Sequence, residues 1–167
     1  GRLRAPYIGV SLETFTGIIG TVLAGIAVGS AVGGRLADRL GANRLLGPTL
    51  LAGGVLACLS IPIVSTVGPS VDASGSSIVL LTFVAFFAPA AVLSAVGPMV
   101  AQVTLADLSS TGRVVGSLSA AGTAGALFGT FITGFFLVSA FPTRAIIVIV
   151  GLGLGLVGLV LWWHLSP

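Results

Sequence analysis

Charged residues are scarce in this sequence of 167 residues, and lysine is absent. Charged side chains make up 7% of the chain, as seven arginines and four acids, whereas a soluble domain carries about 25%. So few charges cannot cover a water-facing surface, which excludes a soluble globular fold. With one histidine and one cysteine, the chain cannot assemble a metal cluster or a nucleophilic triad by itself. We therefore predict no enzyme activity of its own, no catalytic or metal-binding residues and no cofactor.

Long apolar runs are what the sequence has instead. They lie at about 10–34, 45–67, 78–105, 114–141 and 145–165, and each exceeds the roughly 18 residues that identify a membrane-spanning helix. No segment alternates polar and apolar residues as a membrane strand does. The sequence predicts an all-α membrane protein: one domain over 1–167, built as a bundle of five transmembrane helices. Because the chain starts at Gly1 and its one methionine is Met99, we expect it to be a fragment of a longer polypeptide.

The arginines predict how the chain is oriented. Segment 35–44 and Arg113 carry four arginines on one side, and three lie on the other, so we place segment 35–44 and the C-terminus in the cytoplasm. Cations that are all arginine are typical of GC-rich bacterial genomes, so we expect a multi-pass protein of a bacterial plasma membrane. No basic patch alternates with aromatic residues. The expected partners are the lipid bilayer and a second copy or larger membrane complex, not nucleic acid.

The charged segment is the candidate functional site. It contains the sequence GRLADRLGANR at 34–44, between the first two apolar runs. Two interpretations stay open: a solvated positive anchor, or a network in which Asp38 pairs with arginines to hold a cytoplasmic gate. Asp107 and Arg113 lie on the same side and belong to the second interpretation. The candidate gate residues are Gly34, Arg35, Asp38, Arg39, Gly41, Arg44, Asp107 and Arg113.

Three further features fall inside the spans. Glu13 is the one acid within a run; it is either an intramembrane cation or proton site or an anion favoured by the first turn of its helix. Small-residue stripes predict close helix packing, either within the bundle or as a dimer face or sliding gate. Pro89 and Pro98 predict that the third span bends. The packing glycines are Gly25, Gly29 and Gly33 in the first span and Gly125 and Gly129 in the fourth.

The segment at 34–44 resembles the loop signature that joins the second and third helices in the major facilitator superfamily. A broader resemblance is to the membrane half of fused spermidine synthase-like proteins. It rests on RLRAPYIG at 2–9, the prolines at 89 and 98, TGRVVG at 111–116 and GALFGT at 125–130. The resemblance implies helices two to six of a six-helix major facilitator half, followed in that family by a cytoplasmic aminopropyltransferase-like domain. Ser117 and Ser119 depart from the arginine and tyrosine of that pattern.

Two functions follow as expectations. The first is a transporter-like membrane domain that anchors or serves a cytoplasmic enzyme and handles polyamines or other small solutes. The alternative is a structural or accessory subunit packed in a larger membrane complex. The sequence does not name a substrate.

Overall fold

The computed structural model describes residues 7–67, 75–105 and 111–165, with side chains from Phe15 onward except at positions 75, 76 and 78. These ranges are almost entirely helical. They form α1 (Tyr7–Leu40), α2 (Ala42–Val67), α3 (Gly75–Ser94), α4 (Val96–Thr104), α5 (Thr111–Phe131), a π-helix (Ile132–Leu137), α6 (Val138–Ala140) and α7 (Thr143–Leu165).

Five helical stretches within the described ranges are long and apolar enough to cross a membrane. They are Phe15–Leu40, Ala42–Val67, Val79–Thr104, Thr111–Ala140 and Thr143–Leu165. The prediction of an all-helical chain with five such helices is therefore confirmed. The likeness to helices two to six of a major facilitator half stays a prediction.

A single non-helical residue, Gly41, separates α1 from α2. Its φ is +87°, a conformation that glycine adopts without the steric penalty of a Cβ. The Gly41 N–H donates a hydrogen bond to the carbonyl oxygen of Ala37 at 2.9 Å, which closes the end of α1. Segment 35–44, expected to be a loop, is thus almost all helix. The reason is that arginine, leucine and alanine are good helix formers and no proline interrupts them.

The hydrogen bonding of the third span is interrupted where α3 passes into α4, although the backbone stays helical: Ala95 has φ −64° and ψ −21°, and its N–H donates to the carbonyl of Ala91 at 3.3 Å. Pro98 has no N–H, so the carbonyl of Ser94 loses the donor that a regular helix would supply. The hydroxyl of Ser30 on α1 donates to that carbonyl at 3.4 Å. A neighbouring helix thereby satisfies the group that the proline leaves without a partner.

The fourth span departs from regular α-helix near its end. After Phe131 the chain forms six residues of π-helix, Ile132–Leu137, which the sequence pattern does not predict. Helix α6 then ends at Ala140, and Phe141 is extended with φ −131° and ψ 146°. The N–H of Ala145 donates to the carbonyl of Pro142 at 2.9 Å, so the turn into α7 is tight.

Helix pairing defines the bundle. Helix α1 packs mainly against α3, α2 packs mainly against α7, and α3 also contacts α2. The buried hydrophobic cluster lies at the end of the bundle that holds Gly41, and Met99 is its largest fully buried side chain. Neither α5 nor the π-helix buries any residue. The cluster consists of Ala37, Ala42, Leu46, Leu50, Ala95 and Met99.

Candidate functional site

The charged segment lies on the facing ends of α1 and α2. Arg35 and Arg39 are exposed in the last turns of α1, whereas Ala37 between them is 1% exposed. Arg44 is exposed in the first turn of α2. A Cβ built at Gly34 would lie 3.7 Å from the Cβ of Pro98, so this glycine faces α4. The segment therefore has one face in the core and its arginines on the outside.

Asp38 is joined to α4. The Nε2 of Gln102 donates a hydrogen bond to the Asp38 carboxylate at 3.1 Å. Pairing of Asp38 with arginines is one of the two interpretations that the sequence leaves open, and the structure shows an amide on another helix as a hydrogen-bond partner of this carboxylate. Hydrogen bonds to an ionised group are stronger than those between neutral groups. The bond connects the α1–α2 turn with the second half of the interrupted third span.

A polar cavity of about 480 Å³ opens at the same end of the bundle. Arg44, Asn43 and Gln102 supply its polar side chains. Guanidinium and amide groups can donate several hydrogen bonds each, so the cavity suits an anionic or hydrogen-bond-accepting group. It is lined by Leu40, Gly41, Ala42, Asn43, Arg44, Gln102 and Val103.

The other predicted gate and intramembrane residues are less completely described. Arg113 is exposed in the first turn of α5, the helix that contacts α4. Asp107 lies outside the described residues. Glu13 is placed on α1 by its backbone, but its side chain also lies outside them. The structure thus brings together the α1–α2 turn and α4, with Arg113 on a helix next to them.

The predicted packing glycines differ in their surroundings. A Cβ at Gly29 would collide with the carbonyl oxygen of Ala91, and one at Gly33 would lie 2.6 Å from the Cα of Ala95. At Gly25 the added Cβ would lie 3.0 Å from Phe87. These three glycines therefore let α1 approach the third span closely. Around Gly125 and Gly129 on α5, no described atom lies within 4 Å of an added Cβ.

A second cavity, of about 360 Å³, lies in the middle of the bundle. Phe86, Pro89 and Ile146 give it apolar walls, and Thr133 lines it from the π-helix. Ser60 also lines it, but its hydroxyl donates to the carbonyl of Ala57 at 2.7 Å. The cavity therefore offers an apolar environment in which few polar groups can hold a solute.

Sequence reasoning missed two contributors to the site. For Gln102 the sequence offers a weak indication, because it is an amide among apolar residues near the end of the third run. For the π-helix the sequence pattern offers no indication. Within the described ranges, no group of three or more His, Cys, Asp or Glu residues could hold a metal ion.

The chain shows no match to a protein-family model, a curated protein or a solved structure.

Proposed function

We propose that this chain is a transporter-like integral membrane domain of a spermidine synthase-like protein, anchoring or serving a cytoplasmic enzyme domain. One observation supports the proposal most: the hydrogen bond between Asp38 and Gln102. It ties the signature segment at 34–44 to the helix that follows the break at Ala95. A bond at that position can hold one end of the bundle closed and release when α4 moves.

The proposed movement is a change in the angle between α3 and α4, the two parts of the third span. Proline-interrupted helices lie at the binding sites of many transporters. Here α4 carries Gln102 at one end and follows Ala95 directly at the other. The central cavity touches α3 and the π-helix, so a change in the angle between α3 and α4 reaches both the cavity and the charged end. The proposed solutes are small. Polyamines are the first class to test because the resemblance to spermidine synthase-like proteins implies them.

The test is uptake by the purified full chain in proteoliposomes, with radiolabelled spermidine and putrescine. We expect Asp38→Asn to reduce uptake to the level of protein-free vesicles. The asparagine keeps the size of the side chain but removes the charge that strengthens the hydrogen bond from Gln102, so the contact that closes this end of the bundle is weakened. Circular dichroism and thermal unfolding of the variant should match those of the parent protein, because Asp38 is exposed.

The matched control is Arg144→Gln. Arg144 is exposed at the start of α7, at the opposite end of the bundle from Asp38, so uptake should be unchanged. Equal loss of uptake in both variants would reject a specific role for Asp38. No uptake of any polyamine by the parent protein would reject polyamines as the solute.

A second candidate function is a structural or accessory subunit in a larger membrane complex. It is favoured by α5, whose residues are all unburied within the described bundle. It predicts stable co-purification with larger partners and no change in thermal stability on adding polyamines. A monodisperse protein that polyamines stabilise would exclude it.

A further inference from the structure

An apolar groove runs between α1 and α2 over the half of the membrane nearest Gly41. Its volume is about 380 Å³. Val28, Val32 and Leu36 form one wall, with 48%, 45% and 40% of their surfaces exposed. Pro48 and Ala52 form the other wall. Residues 28 to 36 cover about 12 Å of helix, which fits within one leaflet of a hydrocarbon core roughly 30 Å thick.

The floor of the groove is closed, and nearly all of the lining surface is apolar. Ala95 and Met99 lie there, and both are buried. The one polar side chain of the lining is Thr49, whose hydroxyl donates to the sulfur of Met99 at 3.6 Å. The groove is therefore suited to a hydrocarbon chain.

The groove ends one helical turn short of the polar cavity described above, along the same three helices. Each of three helices contributes to both spaces, and the contributing residues lie one turn apart. On α1 the step is from Leu36 to Leu40, and on α2 it is from Pro48 to Arg44. On α4 it is from Met99 to Val103. A molecule with an apolar chain and a polar head would fit both spaces at once.

The charges near the groove indicate which polar head group the bound molecule carries. Arg39 follows Leu36 of the groove wall by three residues on α1, and Arg44, which lines the polar cavity, precedes Pro48 by one turn on α2. Both are exposed. The carboxylate nearby in sequence is Asp38, which accepts a hydrogen bond from Gln102. Two arginines at the mouth of an apolar groove complement a phosphate at the membrane surface.

We propose that this groove binds an anionic phospholipid, with one acyl chain between α1 and α2 and its phosphate at Arg39 and Arg44. A phospholipid explains both halves of the site, whereas a helix of the same length and about 10 Å across would occupy roughly 900 Å³. The groove volume lies in the range of pockets that hold small ligands.

The test is native mass spectrometry of the purified full chain, titrated with phosphatidylglycerol or phosphatidylcholine that carry identical acyl chains. The parent protein should retain phosphatidylglycerol preferentially. Arg39→Gln and Arg44→Gln should each weaken its binding about fivefold, and the double variant roughly 25-fold. Ala52→Phe should weaken binding of both lipids, because the ring fills the groove.

Two matched variants serve as controls. Arg144→Gln removes the same charge at the other end of the bundle, and Ala126→Phe adds the same ring at an exposed alanine of α5. Neither should change lipid retention. Thermal unfolding of every variant checks that it is folded.

Several outcomes would overturn the proposal. These are equal retention of the two lipids, an effect of Arg144→Gln as large as that of Arg44→Gln, or no effect of Ala52→Phe. Soluble glycerophosphoglycerol separates the two sources of phosphate. If it displaces the lipid as well as a full phospholipid does, the site is a phosphate site without an acyl chain. The test reads lipid retention alone, so it does not depend on whether the chain transports a solute.

Discussion

The first and fourth spans carry the same glycine spacing with opposite surroundings. Gly125 and Gly129 stand 100 residues after Gly25 and Gly29. On α1 these glycines lie against the backbone of α3, where a Cβ at Gly29 would collide with the carbonyl oxygen of Ala91. On α5 the corresponding positions have no described atom within 4 Å of an added Cβ. One face is packed and the other is open in the described bundle.

The difference shows what a small-residue stripe does and does not encode. Lipid removes the hydrophobic drive between helices, so association depends on close packing and interhelical hydrogen bonds. Glycine at every fourth residue makes that closeness geometrically allowed. Whether a helix with such a stripe packs closely depends on its neighbour. For α1 the neighbour is α3, whose alanines at 90 and 91 are small enough to lie against it.

The largest expected effect comes from adding one methyl group to each face. Gly29→Ala should destabilise the protein by about 3 kcal/mol, because the new carbon meets backbone atoms of α3 that cannot move aside. Gly129→Ala should stabilise it by about 0.5–1 kcal/mol, because alanine is the better helix former and nothing obstructs it. Reversible unfolding in mixed micelles measures both. A loss of stability at Gly129 similar to that at Gly29 would mean that the α5 face is packed.

A glycine can be needed because there is no space for a Cβ, as at Gly29, or because its φ is positive, as at Gly41. A substitution with a smaller expected effect separates these two reasons. An added Cβ at Gly41 meets nothing within 4 Å, as at Gly129, but φ is +87°. Gly41→Ala should therefore cost about 1 kcal/mol through backbone strain alone. The same unfolding measurement tests this. Equal stability of Gly41→Ala and Gly129→Ala would contradict the left-handed conformation at the α1–α2 turn.

The smallest effect concerns hydroxyl groups on the two spans. The Ser94 hydroxyl shares its hydrogen between the carbonyl of Ile26 on α1 at 3.2 Å and that of Ala91 on its own helix at 3.0 Å, whereas the Thr123 hydroxyl bonds to Ser119 within its own helix at 2.9 Å. Ser94→Ala should cost about 0.6 kcal/mol, typical of an interhelical hydrogen bond in a membrane. Thr123→Ala should be close to neutral. Equal values for the two variants would remove this distinction between the spans.

Hydropathy and proline positions predict much of the fold. Five apolar runs become five helices that could cross a membrane. Pro98 marks the place where the hydrogen bonding of the third span is interrupted, and the bend expected from Pro89 and Pro98 stays a prediction. The ends are less predictable, since α1 continues six residues past Gly34 to Leu40. Charged residues mark where a helix leaves the hydrocarbon, but they do not end the helix. Helix α1 ends at Leu40 because Gly41 has a left-handed backbone conformation.

The candidate site is less predictable than the fold, for a physical reason. Asp38 is recognisable from sequence as a lone acid among arginines, but its partner Gln102 is 64 residues away. Their meeting depends on how α1 and the third span pack, which hydropathy does not encode. The apolar groove likewise exists only because α1 and α2 both rest on a third helix.

The pairing of α2 with α7 has a consequence in time. Helix α2 ends at Val67, and α7 is complete only at Leu165, about a hundred residues later. At about 5–20 residues per second, synthesis of that stretch takes roughly 5–20 s. For that interval the membrane contains α2 without the helix that covers Gly47 and Gly54 in the finished bundle. A nascent chain therefore exposes to lipid, or to a neighbouring helix, the surface of α2 that α7 later covers.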